Sequence, residues 1–136
     1  MDEFSGSLID HLGIGVSDIS HARAFYEQAL KPLGITLLAS IEATPPQSAS
    51  RRLGFGSSGK PFLWVHATTS PSIGAHITLI AQSHEAVDAF HAAGLVAGGQ
   101  DNGAPGIRSH YHAGYYAAYV LGPDEVNLEA VRQASD

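Results

Sequence analysis

Leu8-Ile9-Asp10-His11-Leu12-Gly13-Ile14-Gly15-Val16 is an aliphatic run that ends at Ser17-Asp18. A second run, Ala75-His76-Ile77-Thr78-Leu79-Ile80-Ala81, stands 65 positions further along. Both read as β-strands. The same offset pairs His11 with His76, Ala24 with Ala89, Phe25 with Phe90, Gly34 with Gly99 and Leu63 with Leu128, with no gap inserted. These identities fall at equivalent points: first strand, helix core, helix stop and last strand. Self-similarity at a fixed period is the mark of a repeated structural unit. The sequence therefore predicts an α+β fold of two tandem βαβββ half-modules, residues 8–68 and 73–133. They form one domain over 1–136, joined by the turn Thr69-Ser70-Pro71-Ser72.

The stretches between the two runs fit this order. Asp18 or Ser20 can cap a helix, because a side-chain oxygen there accepts from free backbone N–H groups of the first turn. Ala22, Phe25, Tyr26, Ala29, Leu30 and Leu33 then form one apolar stripe at helical spacing, which Pro32 and Gly34 end. Strands are predicted at 35–41, 51–55 and 62–66, punctuated by Pro45-Pro46 and Gly56-Ser57-Ser58-Gly59. In the second half, Ser83 caps a helix carrying Val87, Phe90 and Leu95, and Gly98-Gly99 ends it. A short strand at 99–101 precedes the loop Asn102-Gly103-Ala104-Pro105-Gly106. Strands at 116–121 and 126–131 flank the turn Gly122-Pro123-Asp124.

Composition narrows the chemistry. Hydrophobic residues make up 44% and charged residues 15%, the balance of a globular chain rather than a disordered one. No apolar run approaches the roughly 20 residues that span a bilayer, so no membrane partner is expected. Met1-Asp2-Glu3-Phe4 is acidic where an export signal would be basic, and the cytoplasm is the expected location. A net charge of −6 with only seven Lys and Arg argues against nucleic acid. There is no cysteine, so a metal would be held by histidine and carboxylate.

Eight histidines are many for this length, and position selects among them. His11 and His76 occupy the same place on the two equivalent first strands. A pseudo-twofold relation between the halves would let their imidazoles converge. Glu129 lies on the last strand, beside the first strand in such a module. Two histidines and a carboxylate on rigid strands make a facial triad that leaves coordination positions open. Each residue alone reads more simply as a polar group at a strand end. A symmetric pair with a carboxylate inside the aliphatic Asn127-Leu128-Glu129-Ala130-Val131 does not, since a buried charge is normally paired or metal-bound. The expected cofactor is one divalent ion, with Zn, Fe(II), Mn and Ni all suited to this set.

Ile9-Asp10-His11-Leu12-Gly13-Ile14 with Ala24-Phe25-Tyr26, and the closing Gly122-Pro123-Asp124-Glu125-Val126-Asn127-Leu128-Glu129, resemble the vicinal oxygen chelate superfamily. That group includes glyoxalase I, bleomycin-resistance and extradiol dioxygenase proteins. The resemblance covers nearly the whole chain. It implies paired modules forming a cupped mixed sheet around a divalent metal, a small-molecule substrate bound through adjacent oxygens, and a homodimer. One position departs from it. Glu129 corresponds by the repeat to Trp64, where glyoxalase I has a second glutamate that binds metal and acts as the base. An indole offers only an N–H donor, so standard glyoxalase I activity is not expected. The remaining ligand set is more similar to extradiol dioxygenases or fosfomycin-modifying transferases.

The predicted function is a metal-dependent enzyme of lyase, isomerase or dioxygenase type, with the ion as Lewis acid. The alternative is a non-catalytic, antibiotic-type binding protein of the same fold. His66, Tyr116 and His112 are the candidates for acid–base work. Trp64, Arg108 and His110 are candidates for the pocket, the last two on a loop before a core strand. Gly13-Ile14-Gly15 lacks the third glycine and the strand-to-helix position of a dinucleotide fingerprint.

Overall fold

The computed structural model describes residues 8–42 and 51–134; the Pro45-Pro46 break and the acidic Met1–Phe4 lie outside them. The first module runs β1 (Leu12–Val16), α1 (Ile19–Ala29), β2 (Thr36–Ile41), β3 (Arg52–Ser57) and β4 (Lys60–Ala67). The second runs β5 (His76–Ile80), α2 (His84–Val96), β6 (Gln100–Ile107), β7 (Tyr116–Leu121) and β8 (Asn127–Arg132). This is the tandem βαβββ arrangement of an α+β fold. Each module forms its own four-stranded mixed sheet, in the orders β1-β4-β3-β2 and β5-β8-β7-β6.

The caps are where polar chemistry places them. The Asp18 carboxylate accepts from the His21 N–H at 3.0 Å, and the Ser83 hydroxyl accepts from the Ala86 N–H at 3.0 Å. Leu30 ends α1, and a 3-10 turn over Lys31–Leu33 closes at Gly34, whose φ of 76° suits glycine.

The offset of 65 holds residue by residue where the first and third strands of each module flank the last one, up to Phe55 and Val120 in the hairpins. Gly13 pairs with Trp64 and Gly54 with Trp64 in the first sheet; Thr78 pairs with Glu129 and Tyr119 with Glu129 in the second. Side chains alternate across a strand. Ile77 and Leu79 are therefore buried while His76, Thr78 and Ile80 are exposed on the other face. The buried faces of both sheets and both helices share one continuous core that includes Phe25, Tyr26, Phe55, Phe90, Leu63 and Leu128. The helices of the two modules pack against each other. A clamp reinforces the junction: the Asp124 carboxylate accepts from the Ser17 N–H at 3.0 Å and the Ser17 hydroxyl at 2.8 Å.

Two expectations need correction. The first strand begins at Leu12, not Leu8, because its ladder with β4 begins at Leu12–Leu63. Residues 102–106 are not a loop but the middle of β6. This edge strand accommodates Pro105 and the φ of 152° at Gly103 by slipping its register against β7 at two points.

Candidate functional site

Glu129 is the one buried charged side chain among the described residues, 2% exposed on the face of β8 that points away from the helices. Taking a carboxylate out of water costs several kcal/mol unless its oxygens are satisfied. Here they are. Oε1 accepts from the Thr78 hydroxyl at 2.9 Å and lies 3.0 Å from His76 Nε2. Oε2 accepts from the Tyr115 hydroxyl at 2.5 Å. Thr78 Oγ1 is also 3.3 Å from His76 Nε2, so three polar groups meet on one edge. Tyr119 lies opposite Glu129 on β7, with its ring 6.4 Å from the His76 ring.

The phenols respond to this environment. Burial pushes the Tyr115 hydroxyl well above the ordinary phenol range, and the Glu129 hydrogen bond and charge push it further. Burial, then the Glu129 charge and hydrogen bonding with Tyr111 and Glu129, do the same to Tyr119. Both phenols stay neutral donors around an acceptor. Arg108 sits over the Tyr119 ring at 5.4 Å, while its guanidinium donates to the carbonyls of Gly106 at 2.9 Å and Ala104 at 2.7 Å. A groove of about 760 Å³ continues along the same sheet face past Ile80 and Val131, bordered by His112 and Gln133.

The chain brings together two of the three expected metal donors. His76 and Glu129 meet; His11 does not join them. It lies just before β1, exposed, with Nδ1 2.6 Å from Asp10. The His11 hydrogen bond, and then Lys60 at 2.6 Å, hold the Asp10 carboxyl below its usual range. Among the described residues no three His, Cys, Asp or Glu side chains converge as a metal cluster. The pseudo-twofold convergence expected within one chain is absent, because the modules pack helix to helix and keep separate sheets.

The remaining candidates scatter. Trp64 and His66 share the open face of the first sheet. The indole rests against Gly54, where an added Cβ would come 2.9 Å from its ring carbons, and His66 stands over Gly15. Tyr116 is on the wrong face for the site. Its hydroxyl donates to Asp88 at 2.6 Å and its ring stacks on His84 of α2 at 4.0 Å. Its neighbours Tyr115 and Tyr119 lie at Glu129 instead. Tyr119 was legible: hairpin register across 122–126 puts it, not Tyr116, opposite Glu129. Thr78 was legible too, two residues from His76 and so on its face. Tyr115 comes from a loop and had no periodic signal. His112 reaches the site indirectly, its ring edge-on to Tyr115 at 5.5 Å and its Nε2 2.9 Å from Gln133. His110 packs against Tyr111, the tilted rings 4.2 Å apart.

His76 and Glu129 offer two donors of the kind a divalent cation takes. Neighbouring ligands about 2.1 Å from one ion stand roughly 3 Å apart when they subtend a right angle, and His76 Nε2 and Glu129 Oε1 are 3.0 Å apart. An anionic oxygen and an imidazole nitrogen suit a borderline first-row metal.

The profile of the Glyoxalase/Bleomycin resistance protein/Dioxygenase superfamily matches residues 8–130. The chain belongs to this superfamily. A glyoxalase/bleomycin resistance protein from Albidiferax ferrireducens is 27% identical, with a TM-score of 0.76 over 92% of this chain and 98% of that one. Glyoxalase I from Zea mays shares the fold at 19% identity and TM-score 0.68, matching 94% of this chain but 45% of its own. A mutant of the fosfomycin resistance protein FosX from Listeria monocytogenes, solved with Mn(II) and 1S,2S-dihydroxypropylphosphonic acid, is 16% identical with TM-score 0.65. It covers 98% of this chain and 92% of that one. Comparison with curated proteins finds no match.

Proposed function

We propose that this protein is a metal-dependent enzyme acting on a small, oxygen-rich organic substrate. In this reading a divalent ion is held by His76 and Glu129 of one chain and His11 of a second copy. The observation that carries it is Glu129: a carboxylate 2% exposed, with His76 on one of its oxygens. When bound, the ion supplies Lewis-acid polarisation of two adjacent substrate oxygens.

The edges of the sheets support the second copy. β1 and β5 are both edge strands; Ser72 already holds the Gly15 N–H and carbonyl on β1, so the end nearer His11 is the template offered to another chain. His11 flanks one edge and His76 lies on the other. A twofold axis relating two copies would set each β1 beside a partner β5 and complete two equivalent sites. Trp64 and His66 would then face the open side of the site from the first sheet. Trp64 would act as a flat wall and His66 as the acid–base candidate, while Arg108 and His110 would stay with the loop around Tyr119. Trp64 offers no carboxylate at the position equivalent to Glu129, so glyoxalase I chemistry is not the proposal.

The test is metal content with subunit complementation. Wild-type protein is expected to bind one divalent ion per chain. His11→Ala and Glu129→Gln are each expected to lose it. Mixing the two variants with subunit exchange should restore one site per dimer, because one interface then keeps a natural His11 opposite a natural Glu129. A metal-free wild type that ignores chelators would instead favour a binding protein without catalysis. Metal binding by a wild-type monomer in light scattering would exclude a shared site.

A further inference from the structure

We infer that Tyr115 is a positioning residue for the metal-binding carboxylate, and that the loop carrying it sets how tightly the site holds its ion. This rests on the proposed metal site and adds a residue to it. A glutamate has two oxygens and can offer a cation one or both. In this protein the two are not equivalent. Oε1 is on the His76 side, sharing its edge with Thr78, whereas Oε2 is taken by the Tyr115 hydroxyl at 2.5 Å. A charge-assisted hydrogen bond from a phenol to a carboxylate is among the strong ones. It leaves Oε1 as the oxygen directed at His76.

A phenol can orient a ligand only if it is itself held. Tyr115 is fixed through both ring and backbone. Its ring lies 4.7 Å from that of Tyr111 and 5.5 Å from that of His112. Its carbonyl accepts from the Arg108 N–H at 2.7 Å, and its own N–H donates to the His112 carbonyl at 3.2 Å. His112 is anchored in turn: its Nε2 is 2.9 Å from the Gln133 side chain, and its Nδ1 accepts from the Gly114 N–H at 3.1 Å. The segment from Arg108 to Tyr115 is therefore a brace between the C-terminal end of the chain and Glu129. Outer-shell hydrogen bonds of this kind orient metal ligands, and losing one typically costs about 10–100-fold in metal affinity.

The experiment uses full-length protein loaded with Co(II) or Mn(II), comparing wild type, Tyr115→Phe and Glu129→Gln. Tyr115→Phe keeps the ring contacts and removes only the hydroxyl. The expected result is a dissociation constant for metal raised about 10–100-fold. The visible spectrum of the Co(II) form should also change as Oε2 becomes free to coordinate. A purely structural role would lower the melting temperature of the metal-free protein and leave affinity and spectrum alone. Affinity within about twofold of wild type and an unchanged Co(II) spectrum would overturn the inference while leaving the metal site intact. Wild-type protein that binds neither ion, or binds them equally well in Glu129→Gln, would overturn the metal site itself and this inference with it.

Discussion

The open faces of the two sheets carry matching rows with opposite contents. In the first sheet the row is Gly13, Trp64 and Gly54; in the second it is Thr78, Glu129 and Tyr119, each residue 65 positions after its counterpart. The first row places one large ring between two residues without side chains. Trp64 fills the space that Gly54 leaves, and the row has no carboxylate. The second row has three polar residues of moderate size, and they satisfy one another around a buried charge. One backbone plan thus yields a packed indole on one side and a hydrogen-bonded polar cluster around a carboxylate on the other. The fold fixes where the rows lie; side-chain identity alone fixes what they do.

The largest effect expected from this asymmetry is catalytic. Loaded in turn with Zn, Ni, Mn and Fe(II), the protein should turn over the hemithioacetal of glutathione and methylglyoxal very slowly. Loss of a positioned base costs about 10²–10⁴-fold, and Trp64 occupies the mirror position of Glu129. A steady-state assay showing robust turnover would break the comparison and point to His66 as the base.

Metal affinity should follow one row only. By calorimetry or chelator competition, Glu129→Gln is expected to weaken binding beyond the about 10–100-fold cost of losing an outer-shell partner. Trp64→Phe should stay within about twofold of wild type. Equal losses in both variants would mean that the two rows form one site within a chain.

The packed indole can be probed through its glycine. In Gly54→Ala the new methyl would come 2.9 Å from the indole carbons and 3.1 Å from Pro61 Cβ. Overpacking of this kind costs about 1–3 kcal/mol. Adding Trp64→Leu should return most of that stability in a denaturant melt. A single variant that melts like wild type would show that the indole is not wedged there.

The smallest effect lies in the core that both sheets share. The Tyr26 ring packs at 5.2 Å from Phe25 and 5.9 Å from Phe55, and its buried hydroxyl has no hydrogen-bond partner. Burial, and then the charge of Asp124, raise its pKa above the ordinary phenol range. A raised folded-state pKa contributes stability that is complete below about pH 10 and lost as pH rises further. Tyr26→Phe should therefore be neutral or gain about 1 kcal/mol near neutral pH. It should also lose less stability than wild type in alkaline melts.

Much of this was legible before any coordinates. Strands repeat every two residues and the modules repeat at 65, so the equivalence of His11 with His76 and of Trp64 with Glu129 follows from pattern alone, and Glu129 beside the first strand was expected from this kind of module. The same counting, carried across the hairpin, selects Tyr119 and rejects Tyr116, whose side chain points to Asp88. Three features depended on tertiary structure. His11 stays apart from the pair because the modules join through their helices, and that choice rests on core packing between distant residues. The indole of Trp64 lies against Gly54 because two strands far apart in sequence are neighbours. Tyr115 reaches Glu129 because its loop is braced on Gln133, and a loop carries no periodicity that would announce where its side chains end. The sequence determined which residues share a face; long-range packing decided which of them touch.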